Sequence, residues 1–285
     1  MSVTAAELVR ELTRRFETAG LEDPKVDART LVCGLLNIDL TDLVLGRTET
    51  VGSDDLAFVC AAAERRCRRE PVHRILGRRS FFGLDLVLSA DTLEPRPDTE
   101  TLLRAVVPFA QSRAAEAGGC RVLDLGTGSG AICLGLLSEI GSASGIGTDI
   151  SEGALQTARD NARRAGLQER FETIAGSWFS DVEGTFDLIV SNPPYIPTDD
   201  ICGLSPEVRD YDPVIALDGG ADGLDAYRAI AAGAAEHLAN GGRVAVETGF
   251  DQCDAVAAIF EENGFTLTER LRDFGGHDRV VVFCL

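Results

Sequence analysis

At 285 residues, with 45% hydrophobic and 26% charged side chains, the chain has the length for a large core plus a smaller accessory domain and the balance of an ordinary globular protein. Its net charge of −19, from 27 basic and 46 acidic residues, argues against broad phosphate-driven nucleic-acid binding. The eight cysteines are scattered, without a C-x-x-C pair or a histidine cluster, which argues against a zinc site, and several sit in apolar runs as small hydrophobes.

The amino terminus, Met1 to Arg15, alternates charged and apolar residues and has no continuous apolar stretch. No segment approaches a membrane span, so a reduced cytoplasm is the expected location. Leu8, Val9, Leu12 and Phe16 recur at helical spacing, with Gly20 as a stop. The pattern predicts a second helix over Val26–Leu36 and a third running to Arg69, with Ser53 as its N-cap. Arg65, Arg66, Arg68, Arg69, Arg74, Arg78 and Arg79 lie close together; a solvated helix end suits them better than a docking patch. Ser80 to Leu88 reads as a hairpin or extended linker turning at Gly83. Pro95-Arg96-Pro97 follows, with Asp98 as cap of a helix reaching Ala117.

From Arg121 the texture becomes an alternation of strands and helices. Strands are expected at 121–125, 144–148, 171–175, 186–190, 243–248, 265–272 and 279–284. Helices are expected at 131–140, 152–165, 224–238 and 252–262. The short connection between the last two strands suggests an antiparallel pair. The expected fold class is α/β: a Rossmann-like, doubly wound seven-stranded sheet whose last strand is antiparallel, preceded by a small helical domain and a β-hairpin linker.

Val122-Leu123-Asp124-Leu125-Gly126-Thr127-Gly128-Ser129-Gly130 is a strand, a glycine turn and a helix start. The glycines allow positive φ and close approach of a cofactor. Asp149 ends the next strand, where a carboxylate can take the two hydroxyls of a ribose. Gly126-x-Gly128-x-x-Ala131 with Asp149 also satisfies a dinucleotide pattern. Asp124 within the strand favours S-adenosylmethionine, because a carboxylate there can organise the turn around the cofactor's amino-acid end. Trp178, the only tryptophan, either stacks on adenine or serves as a rim aromatic. Asp218 to Gly223 is a turn-rich loop suited to a pocket rim, and Glu247 at a strand end is a further candidate contact. His73, His237 and His277 stand alone.

Asn192-Pro193-Pro194-Tyr195 follows the apolar strand ending at Ser191. Two prolines cannot continue a ladder, and each pushes the preceding residue toward an extended conformation. A polar amide, a rigid backbone and an aromatic ring are thereby held at the strand's carboxyl end, where open α/β sheets bind ligands. Such a clamp suits a planar, hydrogen-bonding nitrogen, and a nicotinamide enzyme gives no reason for it.

Together with Glu70-Pro71, Ile75-Leu76-Gly77, Phe82-Gly83-Leu84, Pro95 to Glu100, Ala216 to Gly220, Asp222 to Leu224 and Asp278 to Val280, these motifs resemble the HemK/PrmC family of release factor glutamine N5-methyltransferases over nearly the whole length. Asn-Pro-Pro-Tyr alone is shared with adenine and guanine amino-methyltransferases; the Pro-Arg-Pro linker and the helical front make the resemblance specific. It implies methyl transfer from S-adenosyl-L-methionine to the glutamine amide of the Gly-Gly-Gln motif in peptide chain release factors, the proteins of translation termination. It assigns cofactor contacts to Asp124, Gly126, Thr127, Gly128, Ser129, Gly130, Asp149, Trp178 and Asn192. Substrate contacts fall to Asn192, Pro193, Pro194 and Tyr195, and catalysis to Asn192, Pro193 and Tyr195. Many members carry aspartate just before the tryptophan, where this chain has Ser177. The implied layout is a helical substrate-recognition domain over 1–72, a hairpin linker over 73–97 and a methyltransferase domain over 98–285. Release factors are the expected partners, with no membrane, no metal and no stable nucleic-acid binding. The alternatives are an amino-methyltransferase of adenine or guanine in nucleic acid, or one of another protein glutamine.

Overall fold

A computed structural model describes residues 3–47 and 50–285; residues 1–2 and 48–49 of the predicted first domain lie outside them. The chain divides into two units, one comprising residues up to Arg78 together with Pro206–Tyr211, the other Arg79–Ser205 with Asp212–Leu285.

The first unit is helical. Two short strands, β1 (Val3–Thr4) and β2 (Thr50–Val51), pair antiparallel. Helix α1 (Ala5–Thr18) opens with a capping box: Thr4 Oγ1 accepts from Glu7 N, and the Glu7 carboxylate accepts from Thr4 N. Then come α2 (Pro24–Leu36), α3 (Leu40–Val44), α4 (Ser53–Cys67) and α5 (Val72–Leu76). Leu8, Leu12 and Phe16 from α1 bury against Leu31 and Val32 of α2, Val59 of α4 and Ile75 of α5. The N-cap of α4 is Gly52 and makes no side-chain bond; Ser53 is already the first helical residue, which corrects its predicted place.

The arginine run is only in part a solvated helix end. Arg66 is buried and pairs with Asp27 at 2.7 Å and with Glu207 at 3.2 Å, while Arg69 reaches the same Glu207 oxygen at 3.1 Å. Arg65 pairs with Glu70, and Arg79, in the second unit, with Glu94. Arg65, Arg66, Arg69 and Arg79 thus pair with carboxylates of their own unit, while Arg68 stays exposed.

The second unit takes in, from Arg79 on, the hairpin of β3 (Arg78–Phe81) and β4 (Leu84–Val87). Phe82 (φ 47°) and Gly83 (φ 79°) both adopt positive φ, as a two-residue turn matched to strand twist requires. A single 3-10 turn, Pro97–Thr99, leads into α6 (Glu100–Ala117). Asp98 lies within that turn and caps nothing; Thr99 holds the N-cap position without a side-chain bond.

The sheet is built from β5 (Cys120–Leu125), β6 (Ala143–Asp149), β7 (Phe171–Ala175), β8 (Phe186–Ser191), β9 (Leu238–Glu247), β10 (Thr266–Arg272) and β11 (Asp278–Cys284). Its order is β10-β11-β9-β8-β5-β6-β7, with β11 antiparallel to both neighbours and the rest of the crossovers parallel. Helices α7 (Ala131–Glu139) and α8 (Glu152–Arg164) join α6 on one face; α10 (Asp225–His237) and α11 (Cys253–Glu262) cover the other. The short α9 (Pro206–Arg209) belongs with the helical unit. Alternate residues of the central strands feed the two cores: Val122, Leu188 and Val190 on one side, Leu123, Ile189 and Val246 on the other.

Strand β9 begins five residues before its predicted start, because α10 runs into it directly. Leu238 pairs with Phe186, the ladder resumes at Arg243 with Leu188, and the intervening Ala239 to Gly242 form an excursion with Gly241 at φ 70°. Among the described residues, no helix is long and apolar enough to cross a membrane.

Candidate active site

Chain direction reverses at β5. The crossovers run from β5 to β6 and β7 on one side, then return to β8 and β9 on the other, which opens a crevice beyond the carboxyl ends of the central strands. The registers decide what meets there. Leu125 of β5 pairs with Thr148 of β6 and with Ser191 of β8, so the glycine turn, Asp149 and Asn192 emerge side by side.

Gly126, Gly128 and Gly130 have φ of 68°, 56° and 81°, values that L side chains adopt only at a cost. The turn is anchored from below by Asp124, which is fully buried: its Oδ2 accepts from Thr127 Oγ1 at 2.7 Å and from Cys133 N at 3.2 Å. The other oxygen, Oδ1, is buried without a hydrogen-bond partner. Burial pushes the Asp124 carboxyl up to about 7, against the pull of Thr127 and Cys133. From the side, Asp149 Oδ2 accepts from Gly128 N at 2.9 Å and its Oδ1 accepts from Ser151 N at 2.9 Å. Burial raises its pKa as well.

These groups surround a cavity of about 280 Å³. Its polar lining includes Asp149, Ser151, Ser177, Thr127 and Asn192, and its apolar lining Leu93, Pro95, Ile132, Ile150 and Trp178. Trp178 stands at φ 51°, its carbonyl accepting from Thr148 Oγ1 at 3.1 Å. Of the sequence-predicted residues, Gly126, Thr127, Gly128, Ser129, Asp149, Trp178, Asn192 and Pro194 line the cavity. Asp124 lies beneath the turn, and Gly130, Pro193 and Tyr195 are not in the lining. Pro193 is buried; the Tyr195 carbonyl accepts from Gln252 Nε2 at 2.9 Å. Burial, then Glu247, pushes the Tyr195 phenol up to about 12, so it stays neutral.

Sequence reasoning missed the wall formed by Asp91 to Thr99. It has no periodicity and shows itself only through the rigid Pro95-Arg96-Pro97. Thr99 touches the clamp, accepting from Asn192 Nδ2 at 3.2 Å. The loop after Tyr195 folds back, with Asp218 Oδ1 accepting from Thr198 Oγ1 at 2.7 Å and from Gly220 N at 3.0 Å, and so brings Asp218 to the rim. Among the described residues no cluster of histidine, cysteine, aspartate or glutamate is placed to hold a metal ion.

Two family models match the chain: the PrmC N-terminal domain over residues 7–77 and a methyltransferase domain over residues 116–262. A release factor glutamine methyltransferase from Agrobacterium fabrum is 52% identical over 99% of this chain and 97% of its own. The protein of the same name from Rhodospirillum rubrum is 46% identical over 94% of this chain and 81% of its own. In fold, the chain is similar to a methyltransferase from Pyrococcus furiosus, with a TM-score of 0.53 at 19% identity, covering 81% of this chain and 98% of that one.

Proposed function

The chain belongs to the release factor glutamine methyltransferase family, and we infer that it transfers a methyl group from S-adenosyl-L-methionine to the side-chain amide nitrogen of a glutamine in a peptide chain release factor. The observation that carries this reading is the placement of Asn192 in the wall of the same cavity that the glycine turn and Asp149 line.

The cavity fits the cofactor. Three glycines at positive φ leave the turn bare, Asp149 offers a carboxylate, and Trp178, Leu93 and Ile150 offer apolar surface. We assign the ribose hydroxyls to Asp149, the adenine to the Trp178 side with Ser177 as an uncharged acceptor, and the amino-acid end to the turn braced by Asp124. When bound, the cofactor supplies a sulfonium-activated methyl group.

What remains for the protein is placement, because an amide nitrogen is a weak nucleophile with its lone pair delocalised into the carbonyl. Asn192 Nδ2 is turned toward Thr99, which leaves the Asn192 oxygen for the substrate. That oxygen and the Pro193 carbonyl each accept one N–H of the glutamine amide. The two bonds turn the amide face toward the cofactor side and favour positive charge growing on nitrogen. Pro193 and Pro194 hold the acceptors in a fixed frame, and the neutral Tyr195 ring packs behind the clamp against the core. The methylated nitrogen, strongly acidic while cationic, gives its proton to water without a dedicated base.

The target is the glutamine of a Gly-Gly-Gln motif, presented by a protein too large to be held by the crevice alone. The helical segment ahead of the hairpin serves as the second contact surface. A net charge of −19 and arginines consumed by internal carboxylates favour a protein substrate over nucleic acid. The substrate's role in translation supports a cytoplasmic location. Incubation with radiolabelled cofactor and either release factor, its motif Gln→Ala variant or nucleic acid tests the reading. Label is expected in intact release factor alone; label in nucleic acid, or equal label in the Gln→Ala protein, would sink it.

A further inference from the structure

The Asn192 amide can occupy its site in two orientations related by a half-turn, and only one presents an oxygen to the cavity. The chain contains a device for choosing between them. Asn192 Nδ2 donates to Thr99 Oγ1 at 3.2 Å. Thr99 is 3% exposed, and with its oxygen accepting from Asn192 its own proton needs a buried acceptor. The parallel register of β8 and β9 pairs Ser191 with Val246, which sets Asn192 beside Glu247 at the strand ends. Glu247 is 1% exposed, and its Oε2 has no hydrogen-bond partner. Burial pushes its carboxyl up to about 7; the Thr99 hydroxyl is the foremost group opposing that rise, with Arg279 and the Asn192 amide behind it. Arg279 is itself tied to Asp273 at 3.1 Å and to the Thr248 carbonyl at 3.2 Å. The Tyr227 hydroxyl donates to the Glu247 carbonyl at 2.9 Å and fixes the strand end.

We propose that Glu247 and Thr99 are positioning residues for methyl transfer: the Thr99 hydroxyl donates to Glu247 and accepts from Asn192, locking the Asn192 nitrogen toward the protein and its oxygen toward the substrate. The proposal rests on the reading of Asn192 as the residue that receives the glutamine amide. In the reversed orientation the Asn192 oxygen would face a hydroxyl oxygen and a buried carboxyl, leaving acceptors opposed where no water can separate them. The relay joins three distant parts of the chain. Thr99 comes from the 3-10 turn ahead of α6, Asn192 from the end of β8 and Glu247 from the end of β9.

The test compares Thr99→Val, Thr99→Ser, Glu247→Leu, the Thr99→Val/Glu247→Leu double variant and Asn192→Ala, with release factor as substrate. Cofactor affinity is read by calorimetry and folding by thermal melting. Thr99→Val and Glu247→Leu, which remove the donor and the acceptor of the relay, should each lower kcat about 10-fold or more. Cofactor Kd and release-factor KM should stay within about threefold of their starting values. Thr99→Ser, which keeps the hydroxyl, should recover most of the rate, and the double variant should lose no more than its worse parent, as members of one relay do. In cofactor-free protein, the Asn192 side-chain amide NMR signals should move in both single variants. Wild-type kcat in both, with Asn192→Ala inactive, would overturn the relay and leave the Asn192 reading standing. Full activity in Asn192→Ala would remove both. Additive losses, unmoved amide signals, or a Thr99→Ser as slow as Thr99→Val would likewise overturn the relay.

Discussion

The Asp149 carboxylate holds the Gly128 N–H at 2.9 Å across the gap between two parallel strands, so the end of β6 and the glycine turn after β5 form one rigid edge. Its second oxygen holds Ser151 N at 2.9 Å, which starts α8 from the same anchor. A single side chain thus sets the shape of the cavity and offers its remaining lone pairs to whatever enters it.

Asp149→Ala should therefore weaken S-adenosylmethionine binding by about 10- to 100-fold, the equivalent of roughly 1.5–3 kcal/mol for charge-assisted hydrogen bonds. Calorimetry checks this directly. An unchanged affinity would remove Asp149 from the cofactor site.

Two glycine substitutions should separate cavity from core. At Gly128 an added Cβ meets nothing within 4 Å, so Gly128→Ala carries only the strain of φ 56°, about 1–2 kcal/mol. At Gly145 the Cβ would lie 2.2 Å from Cys133 Sγ, where α7 packs on β6. Gly128→Ala should lose cofactor affinity with the fold intact, and Gly145→Ala should lose thermal stability first. Both are read by melting curves with and without cofactor.

Arg66 should be the most sensitive charged residue of the helical unit. Its side chain is 7% exposed between Asp27 and Glu207. Removing it leaves Asp27 without its cation and Glu207 with Arg69 alone, so Arg66→Ala should cost about 3–5 kcal/mol in chemical denaturation.

Stability should fall as pH rises from about 4 to about 7. Burial lifts Asp124 and Glu247 from ordinary values of 3.8 and 4.5 to about 7, and lifts Asp149 in the same direction. In that window the folded chain binds more protons than the unfolded one, so each step upward in pH favours unfolding until the groups have ionised. Denaturant melts at pH 5, 6, 7 and 8 measure the slope, and Asp124→Asn should flatten it. A slope of opposite sign would contradict the burial argument.

Much of this fold can be read from the residues because its central strands are covered on both faces. Leu188-Ile189-Val190 is a continuous apolar run, as a doubly covered parallel strand must be, and β7 falls on its predicted residues. The bracing role of Asp124 was legible for a similar reason: a carboxylate inside such a strand needs a local partner, and Thr127 provides it. Helices α3 and α5 were not legible, since five residues are too few to display a period. Ala239-Asn240-Gly241-Gly242 resembles a free turn and hides the early start of β9. The neighbourhood of Glu247 was the hardest to foresee. Its approach to Asn192 depends on the register between β8 and β9, a nonlocal relation that no motif encodes.

Asn192→Ala should lower kcat about 100-fold or more, as loss of a group that stabilises developing charge does, while cofactor affinity changes far less. Equal losses in rate and affinity would make Asn192 chiefly a cofactor residue.

The central claim, methyl transfer to an amide nitrogen, is tested most directly by the chemistry of the product. Release factor labelled by this protein with radioactive methyl should yield labelled methylamine on acid hydrolysis, volatile once the hydrolysate is made alkaline, and mass spectrometry should place one added methyl on the Gly-Gly-Gln glutamine. Label released as methanol, retained on another residue, or found in the Gln→Ala protein would contradict it.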